Sequence, residues 1–480
     1  MKAKRLFVTL CAAGLAGGCA VGPNYHPPRT EAPADWSESM LGGTTNSAVQ
    51  IVQWWKTFND PELNSLIERA VAANYDLRIA EAQLLQARAL RSGAVWAFTP
   101  TINGSASFMD RQQSRNAQSF IGSNQVFQTH LYDANFDASW EIDVFGGLRR
   151  QYQQAAAQYD SVEEQRRDVL ISVLAEVARN YVDVRGLQQR VAIAQKNIVA
   201  QQESVDLTRT RYNSGLASEL DVQQAEVLLA TSQADMPTLE TALKQTIHQL
   251  SVLVGRQPGA LLEELSATAP IPGIPPSVPV GLPSDLLRRR PDVRSAERQL
   301  AAATANIGVQ TAELFPKFFL LGIGGYQTVS ATSWFSPGSQ YWSAGPTVTW
   351  RLLDFGRIQA QIKAADAQTK QALAVYEQTV LVSFQDVENA LVAYSNEQLR
   401  YRSLTKAVAA NRRAVDLAND LYTKGLGDFL NVLVTERSLY QVEDQQADSE
   451  RTVTDNLVAL YKALGGGWED KPGAAAVSTN

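Results

Sequence analysis

The chain has 480 residues, 45% of them hydrophobic and 19% charged, with a formal net charge of −6. That composition excludes a disordered chain and a bundle of membrane helices. The acidic balance, with no basic run beyond Arg288-Arg289-Arg290, argues against a nucleic-acid partner.

The first predicted element is an export signal. Lys2, Lys4 and Arg5 precede the apolar Leu6-Phe7-Val8-Thr9-Leu10, and small residues lead to Cys19. A basic start, a short apolar stretch and small residues before a cut site describe a cleaved segment, too short to span a bilayer. Ala16-Gly17-Gly18-Cys19 resembles the bacterial lipobox, with Ala16 where Leu is most common, so residues 1–18 are expected to be removed and Cys19 acylated. Cys11 leaves with the signal, and no disulfide remains. No other stretch approaches 18 unbroken apolar residues, so any membrane crossing must use strands.

An extended segment at 19–60 leads into a first repeat at 61–257, a Pro-rich linker at 258–283, a second repeat at 284–465 and a tail at 466–480. A shift of 210 residues places Trp140 on Trp350, Phe145-Gly146 on Phe355-Gly356, Tyr212 on Tyr422, Gly215-Leu216 on Gly425-Leu426, Glu226 on Glu436 and Gly255 on Gly465. Upstream the register is 216: Asp76 meets Asp292, Ala80-Glu81 meets Ala296-Glu297 and Pro100 meets Pro316. Such self-similarity is the mark of an internal duplication. The proline-dense 270–279 between the halves cannot be helical.

Each half reads as helix, strand, loop, strand, long helix, turn, helix. The β-hairpins are predicted at 101–143 and 317–354. In the first, Tyr132, Ala134, Phe136, Ala138, Trp140 and Ile142 alternate with polar residues; in the second, Trp342, Ala344, Pro346, Val348, Trp350 and Leu352 do so. One apolar face edged with aromatics and one polar face suit a strand between lipid and a wet lumen. Four strands cannot span a membrane alone, because unpaired edge groups cost several kcal/mol each in hydrocarbon. Eight strands from two copies would nearly fill their own interior, whereas twelve leave a channel. A homotrimer is therefore expected.

The long helical hairpins are predicted at 146–255 and 356–465. The stretch from Gly146 to Tyr212 has no proline and, beyond the opening Gly146-Gly147, one glycine, Gly186, and at 1.5 Å per residue gives a rod of roughly 100 Å. Its apolar residues recur every seven: Val177, Val184, Val191, Ile198, Val205 and Tyr212 in the first half, Val387, Tyr394, Tyr401, Val408, Val415 and Tyr422 in the second. A sustained seven-residue period means supercoiled helices packed on neighbours.

No motif carries catalysis: there is no Gly-rich phosphate loop, no nucleophile with a base in a recognisable setting and no His–Glu metal motif. His26, His130 and His248 share no ligand spacing, so neither a metal nor a cofactor is expected. Arg288–Arg290, followed by Pro291 and Asp292, reads as a helix start and not as an anion site.

With these features together, the chain resembles the TolC/OprM-type outer-membrane factors, in their lipoprotein, NodT-like branch. The most specific pieces are Leu286-Leu287-Arg288-Arg289-Arg290-Pro291-Asp292-Val293-Arg294-Ser295-Ala296-Glu297, Asp354-Phe355-Gly356-Arg357, the turns around Gly215 and Gly425, and Ala-Val-Gly-Pro-Asn-Tyr after Cys19. The resemblance implies an α+β membrane protein: a trimeric 12-stranded β-barrel with four strands per chain, continued by a 12-helix coiled-coil tunnel in the periplasm. It implies an efflux duct for small molecules, lipid-anchored in the outer membrane and engaged by a periplasmic adaptor and an inner-membrane transporter of the resistance–nodulation–division type. Gly215 and Gly425 would mark the adaptor-docking tips. Tyr422 would bond Asp221 to hold the inner hairpin shut, and Leu430, Asn431 and Val434 would line the narrowest ring, with Arg437 one turn beyond. Many relatives carry aspartates where this chain has Asn431 and Val434, so the ring is expected to be polar-to-apolar instead of anionic. Two alternatives stand beside this reading: a lipid-tethered periplasmic scaffold, and the same duct serving protein secretion or metal-ion export.

Overall fold

The structure, a computed structural model, describes residues 20–38, 43–45, 52–112 and 128–468. The signal segment and Cys19, on which the acylation reading rests, lie outside the described residues. In chain order the elements are β1 (Thr44–Thr45), α1 (Pro61–Ala73), α2 (Tyr75–Trp96), β2 (Thr101–Gln112), β3 (Gln128–Ile142), α3 (Gly147–Asn213) and α4 (Glu219–Leu253). There follow β4 (Val278–Pro279), α5 (Pro283–Arg289), α6 (Pro291–Ala312), β5 (Lys317–Thr328), β6 (Gln340–Thr349), α7 (Phe355–Thr423) and α8 (Phe429–Ala463). None of these helices is long and apolar enough to cross a membrane.

The chain divides into two compact units, each drawing on both halves of the sequence. The first combines the segment ending at Pro28 with Leu84–Val162 and Ala296–Tyr376. Its centre is one antiparallel sheet in the order β2-β3-β5-β6. Pairing of Ala106 with Ala134, and of Ala134 with Tyr326, keeps even-numbered residues of all four strands on one face. That face is apolar and open: Ile102, Phe136 and Trp342 are each at least 70% exposed. Glycines stand beside its large rings: Gly104 is opposite Phe136, where a Cβ would lie 3.1 Å from the ring, and Gly324 is opposite Trp342. The other face carries most of the polar residues, with Phe319, Leu321 and Ile323 of β5 as apolar exceptions, and is bonded across strands. Asn103 donates to Asp137 at 3.0 Å, and Gln327 and Tyr341 both donate to Asp133, at 3.0 and 3.1 Å. Among the described residues, the outer edges of β2 and β6 have no partner strand.

Below the strands, corresponding positions of the two halves do the same job. The indole N–H of Trp140 donates to the Phe98 carbonyl at 2.9 Å, and that of Trp350 to the Leu314 carbonyl at 3.0 Å. The N-terminal segment is tied to the foot of β3: Val21 N–H donates to Phe145 O at 3.0 Å, and the buried Arg150 donates to the carbonyls of Val21 and Gly22 and to the Asn24 side chain.

The second unit is helical. Val177, Val184, Val387 and Tyr394, members of the two seven-residue stripes, have no exposed surface, and they share one core with Trp54, Leu66, Leu250 and Tyr461. Trp54 stacks on Tyr461 with ring centroids 5.3 Å apart. Gly186 is where α8 crosses α3 closely: a Cβ there would lie 2.7 Å from Arg451 Cδ. The carbonyl ends of the returning helices are capped alike. Asn74 donates to Leu253 O at 2.9 Å, and Arg290 donates to Ala463 O at 3.3 Å, so each ties the start of α2 or α6 to the end of its own half. Arg290 is enclosed by Asp292 and Asp386, in keeping with a structural reading of the arginine run. Residues 270–277 are non-helical, and β4 pairs in parallel with β1. One departure from sequence rules is Pro237, which sits inside α4 without ending it.

Candidate functional site

The residues implied in gating and docking fall on the two turns that join α3 to α4 and α7 to α8. Both turns are built by the same backbone device. Gly215 takes φ +71° and Gly425 +72°, Leu216 N–H reaches back to Arg211 O at 2.8 Å, and Leu426 N–H reaches Leu421 O at 2.9 Å. This double-bonded C-cap needs a left-handed residue, which glycine adopts without steric cost. A Cβ at either glycine would meet nothing within 4 Å, so backbone conformation alone selects glycine there.

The helices that follow start differently. Ser218 caps α4 in a reciprocal box: its hydroxyl accepts from Asp221 N–H at 3.2 Å, and Asp221 accepts from Ser218 N–H at 2.9 Å. In the second half Asp428 and Asn431 stand at these positions, and no side chain caps α8.

Between the turns lies a small apolar core of its own, containing Val205, Ala225, Leu228, Leu229, Ala418, Tyr422, Phe429, Val432 and Leu433. It joins all four helices. Tyr422 is 5% exposed, whereas its counterpart Tyr212 is 43% exposed, so the same stripe position is core in one hairpin and surface in the other. The Tyr422 ring packs 5.2 Å from Phe429, and the Arg211 guanidinium lies 4.5 Å over it while donating to Thr423 O at 3.3 Å. The Tyr422–Asp221 bond implied by resemblance is not made within the chain. The phenol oxygen is buried with no hydrogen-bond partner among the described residues; Asp221 is turned to the cap of its own helix and Arg211 covers the ring.

On α8 the helical period separates two faces. Phe429, Val432, Leu433 and Glu436 point into the core, while Leu430, Asn431, Val434 and Arg437 are exposed together on the opposite side. Leu430 is 54% and Val434 56% exposed, an unusual cost for aliphatic side chains in water. Leu216 and Leu426, beside the turn glycines, are 67% and 74% exposed.

Two polar links across the hairpins were not among the residues singled out from sequence. Arg211 is one. The other is Glu436 on α8, 9% exposed, whose carboxylate accepts from the Ser204 hydroxyl of α3 at 2.6 Å. Burial pushes the Glu436 carboxyl above its usual range, and the Ser204 bond works against that rise. A signal for it was present in the repeat: Glu226 aligns with Glu436, yet the Arg209 that pairs with Glu226 at 2.5 Å aligns with Asn419. Among the described residues no group of three or more His, Cys, Asp or Glu is arranged to hold a metal ion.

Known proteins place these features in a family. The outer membrane efflux protein family matches residues 66–256 and 282–466. The pyoverdine export outer membrane protein OpmQ of Pseudomonas putida is 34% identical over 92% of this chain and 93% of its own length. Nodulation protein T of Rhizobium leguminosarum bv. trifolii is 31% identical over 95% and 96%. The solved structure of the outer-membrane channel OprN superposes with a TM-score of 0.88 at 36% identity, covering 94% of this chain and all of that one. The chain belongs to the outer membrane efflux protein family.

Proposed function

We propose that three copies of the chain close their sheets into a twelve-stranded barrel in the outer membrane, continued by twelve helices as a periplasmic duct. Small molecules passed on by a periplasmic adaptor and an inner-membrane transporter of the resistance–nodulation–division type would leave the cell through it. The duct is passive, opened and shut at the helix turns. Its two halves descend from one duplicated unit.

The observation that carries this reading is the sheet: four strands, one face apolar and open, and two edges without partners. In hydrocarbon each unpaired backbone group costs several kcal/mol, so about five on each edge amount to tens of kcal/mol. That exceeds the net stability of a typical domain, roughly 5–15 kcal/mol, and only other copies can remove it. The strand lengths suit the role. Ten residues of β6 extend about 33 Å, or about 25 Å of membrane normal at a tilt near 40°. Aromatic residues flank the apolar band, with Phe108 and Tyr132 toward one end and Trp140 and Trp350 toward the other.

Acylation at Cys19 is supported by the clamp on the residues right after it: Arg150 and Phe145 hold them at the foot of β3, where a lipid on the preceding residue would enter the membrane. Stacked threefold, the exposed face of Leu430, Asn431, Val434 and Arg437 would form the constriction, apolar-to-polar and free of carboxylates. The bare leucines beside Gly215 and Gly425 would receive the adaptor.

Deleting the protein and following accumulation of dyes and antibiotics tests the function. Accumulation is expected to rise, and the heated and unheated protein to migrate differently on gels, as barrels do. Unchanged accumulation with a heat-insensitive monomer would defeat the proposal.

A further inference from the structure

We propose that Glu436 is a proton-responsive positioning residue for the gate, holding the α7–α8 hairpin against α3 when neutral and releasing it when ionised. This rests on the duct reading above and adds a control to it.

The geometry comes first. Glu436 is on the buried face of α8, three residues from Leu433 of the small core and one turn or so from the exposed Asn431 and Val434. The Ser204 hydroxyl is the donor to its carboxylate, and Ser204 belongs to the other hairpin, so the bond crosses the seam that must part if α7–α8 moves. The equivalent glutamate of the first half, Glu226, is satisfied inside its own hairpin by Arg209. The second half has Asn419 where that arginine would be, which leaves a buried carboxylate with a hydroxyl in place of a cation. The seam is underbonded elsewhere too: Gln201, one turn from Ser204 and 3% exposed, has neither amide atom bonded among the described residues.

Charged groups on the neighbouring elements do not compensate. On α3, Glu203 and Asp206 are exposed, Arg209 is engaged by Glu226 and Arg211 by the Tyr422 ring. On α7, Arg412 pairs with Glu443 of α8, and Arg437 points away on the exposed face. On α4, Glu226 is the paired acid already named. Burial is the leading cause of the raised Glu436 pKa, and no ionised neighbour contributes.

The sign follows from linkage. Packing favours the neutral acid, so the closed arrangement is fully stabilised below the ordinary carboxylate range and weakens as pH rises through the elevated value. Between those limits the closed-to-open ratio falls by at most about tenfold per pH unit for each protomer.

The test uses the full-length acylated protein in planar bilayers, with open fraction recorded from pH 4 to pH 8. The wild-type open fraction is expected to climb with pH. Glu436→Gln, isosteric and always neutral, is expected to stay shut across the range with trimer migration intact. Ser204→Ala removes the donor that favours the charged form, so its climb is expected at higher pH than in the wild type. A Glu436→Gln profile that rises like the wild type overturns the proposal while leaving the duct in place. Failure of every variant, wild type included, to form channels at any pH overturns both.

Discussion

Tyr422 and Tyr212 occupy one repeat position and lead opposite lives. The first is buried under Arg211 and the second is open to solvent, although both close a seven-residue stripe. Their residue type therefore does not decide their role; the neighbours delivered by the second hairpin do. The buried Tyr422 phenol has no partner among the described residues, and an unmade bond contributes no stability. Tyr422→Phe is thus expected to leave the proposed gate as tight as before. Arg211→Ala, which removes a cation–π contact worth about 0.5–1 kcal/mol near a surface, is expected to make cells leakier. Uptake of a large antibiotic normally excluded by the outer membrane measures both; a leak in Tyr422→Phe equal to that of Arg211→Ala would contradict the assignment. Residue-scale features of this kind were the least legible in sequence. The glycine turns were readable because a left-handed cap demands one residue type. Arg211 and Ser204 were not, because their partners come from about 210 or more residues away and no local period marks them, and Glu436 left only the loss of its cation at Asn419 as a trace in the repeat.

At the scale of elements, periodicity carried most of the information. Strand alternation over 132–142 matches β3, and the strand ends fall within a few residues of the expected hairpins. In the second hairpin β6 ends at Thr349, and the Trp350 indole just beyond it donates to the Leu314 carbonyl. The long helices contain a polar seam that hydrophobic patterning hides. Arg451 of α8 bridges Asp183 of α3, at 2.6 Å, and Asp455 of its own helix, at 2.7 Å. Although Asp455 touches that guanidinium, burial first and the Asp183 charge second push its carboxyl up to about 7. Arg451 is shared among three acids, Asp448 at 3.0 Å being the third, which leaves the buried Asp455 undercompensated, and one Asp455 oxygen has no bond partner among the described residues. A raised acid favours the fold below its ordinary pKa and loses that contribution as pH rises toward 7. Thermal unfolding of the wild type is thus expected to fall between pH 4 and pH 8, and Asp455→Asn to flatten that dependence. An unchanged slope in the variant would show that other groups set it.

For the molecule as a whole, one sheet explains the rest. On the proposed reading its apolar face meets lipid, its polar side meets water, and its two edges, unpaired among the described residues, join their counterparts on further copies. Exposed aliphatics on the α8 face and at the helix turns fit the proposal that neighbouring subunits and a partner protein cover them. Sequence made the four-stranded sheet legible, since the strand dyads of both hairpins stand out before any coordinates. The most direct measurement pairs a single cysteine introduced on β2 with one on β6, scanned along both edges in the membrane-inserted protein, and sizes the oxidised products. Closure by three copies predicts intermolecular disulfides that give dimers and then trimers, with nothing larger. Products confined to monomer, or a ladder extending beyond three chains, would contradict it.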